Sequence, residues 1–181
     1  RLEYRGDDSA GIAMPVNGSI QITKAVGELK NLEAKISDPE YDAAVAIGHT
    51  RWATHGKPTE INAHPHGNMD NSIAIVHNGI IENYQELREW LAVEYGIKFK
   101  SETDSEVIAH LIGLYYDGDL LKAVGKAVDD MRGAYAVAVM AVSEPDKIVA
   151  VRKDAPLVVG AGNGFNMIAS DVPALLKYTR D

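Results

Sequence analysis

Between His49 and His66 the chain gathers side chains able to bind charged groups and to exchange protons. His49-Thr50-Arg51-Trp52-Ala53-Thr54-His55-Gly56 runs into Lys57-Pro58 and then into Asn62-Ala63-His64-Pro65-His66. Arg51 offers a planar fork suited to a carboxylate or a phosphate, and equally to a structural ion pair with one of the chain's 26 acidic residues. Asp104 can hold a ligand ammonium group, or simply complement the macrodipole in a helix's first turn. His77-Asn78-Gly79 can be an ordinary turn, or a side-chain amide and a backbone N–H aimed at a developing oxyanion.

Five of the six histidines fall between His49 and His77, and imidazole is the commonest metal-ligand side chain. The spacing speaks against a metal. There is no helical His-x-x-x-His pair beside a carboxylate, and His64-Pro65-His66 does not fit a regular helix. Histidines hydrogen-bonded within a polar loop are the plainer reading. A histidine-ligated metal hydrolase is a competing class that metal analysis would separate.

The elements that must position these residues follow from periodicity and punctuation. The apolar run Ala43 to Ile47 opens a strand to His49 that delivers the loop, since a rigid strand end with Gly and Pro breaks behind it is where recognition groups collect. Ser72 to Val76 is the next apolar run, expected to end in a sharp turn at His77-Asn78-Gly79. Asn83 with Glu86, and Thr103 with Glu106, have capping-box spacing. They open helices carrying Tyr84, Leu87, Leu91 and Tyr95, and Val107, Ile108, Leu111, Ile112 and Tyr115, on their apolar faces, with Asp104 in the first turn of the second. Leu120, Leu121, Val124, Val128 and Met131 give a third helix beside it.

Upstream, Asn17-Gly18 between Gly11–Val16 and Ser19–Ala25 predicts a type I′ hairpin. Leu29, Leu32 and Ile36 predict a short helix before Asp38-Pro39, and Arg1 to Arg5 reads as the last turn of a helix. Downstream, Ala134–Val142, Lys147–Arg152, Leu157–Gly160 and Met167–Ser170 read as a strand meander. Gly160-Ala161-Gly162-Asn163-Gly164 precedes a strand and no helix, so it is a turn and not a phosphate loop. The pattern is α+β, with sheets stacked between helical layers.

At 181 residues the chain can bury a core as one unit. Its formal charge of −8, with no Lys/Arg block, argues against a nucleic-acid partner. No cysteine is present, which removes disulfides and Cys-type zinc sites and fits a reducing compartment. The longest apolar run, Ala134 to Val142, is too short to span a bilayer, so no membrane partner is expected.

Taken together, Arg1 to Gly11, His49 to Gly56, Asn62 to His66, His77 to Asn83 and Ser101 to Asp104 resemble the N-terminal glutaminase domain of the isomerising glutamine:fructose-6-phosphate amidotransferases. The resemblance covers essentially the whole chain. It departs at Asp7, where the family usually has tyrosine. It implies a four-layer αββα sandwich of the N-terminal-nucleophile hydrolase type, in which a cysteine thiol attacks the glutamine amide and its own α-amino group is the base. Carried over, Arg51 clamps the glutamine α-carboxylate, Asp104 holds the α-ammonium, and Thr54 and His55 line the pocket. Asn78 and the N–H of Gly79 form the oxyanion hole, and Trp52 belongs to a mobile loop that closes over glutamine.

The same resemblance implies no cofactor and no metal, L-glutamine as substrate, and fructose 6-phosphate reached through a separate isomerase domain. It also implies a cytoplasmic homo-oligomer. Residues 1–181 are then expected to be a partial glutaminase domain, with the first strand and its cysteine, the C-terminal part and the sugar-isomerase domain lying outside. As written, the chain is expected to be inactive. Another class II amidotransferase and a non-catalytic glutamine-binding module are the alternative readings.

Overall fold

Side-chain alternation along two strands separates two packed seams in the computed structural model, which describes residues 6–36, 43–52 and 57–180. Strands β5 (Ile73–Ile81) and β6 (Gly133–Ala141) pair antiparallel from Ile73↔Ala141 to Ile81↔Gly133. Odd-numbered Ile73, Ile75, Val137 and Val139 point to one side and meet Leu91, Ile108, Leu111 and Leu120. Even-numbered Ala74 and Met140 point to the other, against Ala13, Ile20 and Ile47. A period of two thus feeds two different cores from one sheet.

The helical side holds α2 (Tyr84–Tyr95), α3 (Glu106–Tyr115) and α4 (Leu120–Asp130). The opposite side is a second sheet in which β1 (Ser9–Val16) lies between β2 (Ser19–Val26) and β3 (Ile47–Arg51). Beneath it, α1 (Leu29–Lys35) buries Leu32 on Ala10 and Ala25. The layers therefore run helix, sheet, sheet, helix, the αββα sandwich expected from the sequence. The central sheet is completed by β4 (His66–Gly67) and β7 (Ile148–Lys153), in the order β4-β5-β6-β7. A last hairpin joins β8 (Val158–Gly162) to β9 (Phe165–Ala169).

Two of the three Asn-Gly pairs turn hairpins; the third, Asn78-Gly79, lies within β5. Asn17 and Gly18 have φ of 50° and 78° between Val16 and Ser19, the left-handed pair a type I′ turn requires. Asn163-Gly164 connects the paired Gly162 and Phe165; of the glycine-rich run expected as a turn, only these two residues turn, while Gly160-Ala161-Gly162 ends β8 because it pairs with β9. Gly96, at φ 65°, ends α2 as expected, with its N–H on the Ala92 carbonyl at 3.1 Å.

Four local expectations need correction. β3 starts at Ile47 rather than Ala43: Ala44 and Ala46 are exposed, and β1 offers its partner from Ala13↔Ile47 onward. β5 does not turn at His77-Asn78-Gly79 but runs straight through to Ile81, because its ladder with β6 continues residue for residue. Asn83 makes no side-chain cap. It accepts from Arg132 N–H at 2.9 Å and donates to the Asp130 carbonyl at 2.8 Å, binding α2's start to α4's end. Finally, α3 begins at Glu106, so Asp104 lies in the turn before the helix, and Thr103 bonds His66 and Ser101 instead of capping. The expectations for Arg1–Arg5 and Asp38-Pro39 lie outside the described residues.

Candidate active site

The same parity builds the site. Ile47 faces the inter-sheet seam, so His49 and Arg51, two and four residues on, face it as well. From the facing sheet, Ala74 sets the parity that brings Asn78 into the same seam. The turn before α3 closes the third side with Thr103, Asp104 and Ser105. These residues, with Trp52, His64, His77, Gly79 and Ile80, surround one cavity of about 290 Å³. Five of the seven residues expected at the site therefore share it: Arg51, Trp52, Asn78, Gly79 and Asp104. The other two, Thr54 and His55, lie outside the described residues.

Arg51 is buried, with Nη1 3.4 Å from the Lys57 carbonyl and 3.8 Å from Asp8 Oδ1. Asp8 is itself held by Ser9, whose hydroxyl donates at 2.7 Å. Asp104 is also buried; its Oδ2 accepts the Ile81 N–H at 2.8 Å, while Ser105 Oγ lies 3.4 Å from Oδ1. A carboxylate has about four lone-pair sites, so both oxygens keep acceptor capacity. A cationic fork and a carboxylate thus line one small space. Trp52, 67% exposed, stands at its rim.

Gly79 occupies a place only glycine can take. Its φ is 120°, and a Cβ built there would sit 2.1 Å from the Ala134 carbonyl oxygen. The close approach is what lets β5 pass the cavity without leaving β6.

The imidazoles form a packed group. His64 stacks on His49 with centroids 4.2 Å apart and planes 18° from parallel, and meets His66 edge-on at 4.7 Å. His77 N–H donates to His64 Nδ1 at 3.2 Å, His77 Nδ1 lies 2.8 Å from Ser105 Oγ, and His66 Nε2 lies 3.2 Å from Thr103 Oγ1. Burial pushes all four below the usual imidazole range, His64 and His66 well below it. His77 falls to about 4, burial outweighing the pull of Asp104. They are neutral rings at neutral pH. Among the described residues no group of three or more His, Asp or Glu is arranged to hold a metal ion.

The sequence marks His49, His64 and His77 only as members of motifs and as metal candidates, and it does not mark Ser105. For His49 a signal existed, its spacing of two from Arg51 on one strand; for Ser105 there was none. Asn62, quoted only as part of a motif, is a clasp between loops. It donates to the Lys57 carbonyl at 3.0 Å and to Glu102 Oε2 at 3.1 Å, and accepts the Glu102 N–H at 3.0 Å.

This layering and site define the class. The fold matches the glutamine phosphoribosylpyrophosphate amidotransferase of B. subtilis, solved with ADP and GMP, at a TM-score of 0.82 and 25% identity over 98% of this chain and 39% of that one. A structure described as the allosteric regulatory enzyme of purine biosynthesis matches at 0.77 and 26%, over the same shares. The molecule is an amidotransferase domain of the N-terminal-nucleophile fold. Residues 49–177 match the glutamine amidotransferase domain family, and the chain belongs to it.

Among relatives, the chain is 55% identical over all 181 residues to the isomerizing glutamine–fructose-6-phosphate aminotransferase of Clostridium acetobutylicum. It is 54% identical over 180 residues to that of Aquifex aeolicus. In both cases it spans 30% of the relative's length.

Proposed function

We propose that this chain is the ammonia-releasing part of an isomerising glutamine:fructose-6-phosphate amidotransferase. The observation that carries the reading is the single cavity into which β3, β5 and the turn before α3 bring Arg51, Asn78, Gly79 and Asp104. Arg51 takes the glutamine α-carboxylate and Asp104 its α-ammonium, leaving the side-chain amide to reach Asn78 and Gly79. A thiolate adding to the amide carbon pushes an electron pair onto the oxygen, where the Asn78 amide and the Gly79 N–H stabilise it. Ammonia leaves with a proton from the nucleophile's own amino group, and water then hydrolyses the thioester to glutamate. On the likeness to the family, Thr54 and His55 are assigned to the pocket lining and Trp52 to a loop that closes over the substrate.

The sequence holds no cysteine, so the reading assigns the nucleophile to a segment of the complete protein outside residues 1–181. A cleft supports a place for it. β3 and β9 are both sheet edges among the described residues, and the space between them is lined by Thr50, Leu157, Ile168 and Ser170. That cleft shares His49, His77 and Asn78 with the site cavity. An extended segment lying between β3 and β9 would therefore end beside Asn78. The identity of 50–56% to fructose-6-phosphate aminotransferases, against 25% to the phosphoribosylpyrophosphate enzyme, favours fructose 6-phosphate as acceptor in the complete protein. We extend the reading to a cytoplasmic homo-oligomer on the same likeness.

The test is the complete protein assayed for glutamate from glutamine and for glucosamine 6-phosphate when fructose 6-phosphate is added. Both are expected, and residues 1–181 alone should give neither. Glutamine hydrolysis by a verified chain starting at Arg1 would overturn the mechanism.

A further inference from the structure

An asparagine side chain can serve an oxyanion only if its NH2 end faces the charge. The two ends of a carboxamide have nearly the same shape, so packing alone does not choose between them. Half a turn about the last torsion would present Oδ1 to a negative oxygen and turn stabilisation into repulsion. Something must therefore hold Oδ1 on the other side.

We propose that His49 is the positioning residue that fixes the Asn78 carboxamide with its NH2 toward the cavity, an inference that rests on the oxyanion reading of Asn78. His49 Nε2 lies 2.8 Å from Asn78 Oδ1. In this geometry Nε2–H donates and Oδ1 accepts, which leaves Nδ2 to point elsewhere. Nδ2 makes no hydrogen bond among the described residues, and Asn78 lines the cavity.

The donor is itself held. His49 lies on β3 and Asn78 on β5, so the bond crosses the seam between two sheets rather than following one backbone. The His49 ring stacks on His64 at 4.2 Å, which sets its plane. His64 is fixed in turn by the His77 N–H on its Nδ1 at 3.2 Å. The chain of support starts at His77 and returns to the next residue of the same strand, Asn78. It closes on rigid sheet at both ends, as a preorganised donor requires. Burial keeps the His49 ring neutral at working pH, so it carries a single N–H, which faces Asn78 Oδ1 at 2.8 Å with the His77 backbone as a second, weaker partner.

The contact could instead act only as a staple between sheets, and kinetics separates the two roles. In the complete enzyme His49→Phe keeps a ring for His64 to stack on and removes the donor. Glutamine hydrolysis should lose roughly 10-fold to 100-fold in kcat, less than full removal of an oxyanion donor, with KM within about two-fold. His49→Gln and His49→Met form a second pair, similar in shape and differing in the donor, which also serves if the Phe variant does not fold. Gln should retain several-fold more kcat than Met.

The decisive arm repeats His49→Phe, or the Gln and Met pair, on an Asn78→Ala background. If His49 acts through Asn78, its effect there falls below about two-fold. An undiminished effect on that background, or equal kcat for Gln and Met, overturns the positioning role while Asn78 keeps its own. An Asn78→Ala enzyme with unchanged kcat removes the oxyanion reading itself, and this inference with it.

Discussion

Arg51 and Asp104 would bind glutamine far from the bond that breaks, so each contributes equally to ground state and transition state. Contacts of that kind set the Michaelis constant rather than turnover. Arg51→Ala and Asp104→Ala in the complete enzyme should each raise KM for glutamine by an amount equivalent to about 1.5 to 3 kcal/mol, the usual worth of a charge-assisted contact. Asp104 has a second task, because its Oδ2 accepts the buried Ile81 N–H. Asp104→Asn keeps an oxygen for that bond and loses only the charge, so it should raise KM without the stability loss of the alanine variant. Wild-type glutamine saturation in Arg51→Ala and Asp104→Asn would remove both residues from the substrate's ends. Asn78→Ala should behave oppositely: a drop of about 100-fold to 1000-fold in turnover, with affinity nearly kept, since charge on the amide oxygen peaks only in the tetrahedral intermediate. Poorer glutamine binding at unchanged turnover would show instead that Asn78 contributes uniform binding and no oxyanion stabilisation.

At the level of elements, the point most sensitive to change is the passage of β5 along β6 at Gly79. A methyl group there would face the Ala134 carbonyl at 2.1 Å at a φ of 120°, so the strands must part. Gly79→Ala should cost more than the ~1–3 kcal/mol typical of backbone strain, because the clash adds to it. A local loss of hydrogen-exchange protection at Ile80, paired with Ala134, would report the parting, and unchanged protection would contradict it. This is also where the sequence was misread: His77-Asn78-Gly79 has a turn's composition, and the partner that keeps it extended is 56 residues away at Tyr135. Tertiary partners likewise defeated both capping boxes. Asn83 is taken by Arg132 and Asp130, and Thr103 by His66. Where the deciding contacts lie within one element, the sequence shows them. The Asn-Gly hairpin and the Gly96 stop needed no partner to be seen, and the apolar stripes of α2, α3 and α4 match the buried faces except at Tyr95 and Leu121, which are exposed. The site fell between these cases: Arg51, Asn78 and Asp104 stood out by type and by motif, while only the fold could show that they share one cavity.

Across the whole molecule, the site lies where the two sheets meet the turn before α3, and this places four neutral imidazoles in the interior. Such a core has an acid weakness whose sign can be worked out. His77 takes a proton in the unfolded chain below about 6.5 but in the fold only below about 4. Between these values the unfolded state holds more protons, so stability falls as pH drops through that window. His49, His64 and His66 are displaced in the same direction by burial, so their losses add to that of His77. Glu106 acts lower down. Burial raises its carboxyl, but hydrogen bonds from His110, Ser101 and the backbone bring it to about 2, so its contribution is present above about 4.5 and lost toward 2. Acid should therefore open the domain in two stages, the imidazole stage first. From pH 7 to pH 5, His77 alone accounts for about 2 kcal/mol, at 1.36 kcal/mol for each unit of displacement traversed. Hydrogen exchange at the Ile75 and Val139 amides, corrected for the intrinsic rate, measures this opening in the intact protein. Protection should fall between pH 7 and 5, and the fall should be smaller in His77→Gln, which has no proton to take up. Equal protection at the two pH values would mean that the imidazoles are charged or solvated in the fold, and the packed neutral group at the centre of the site would have to be abandoned.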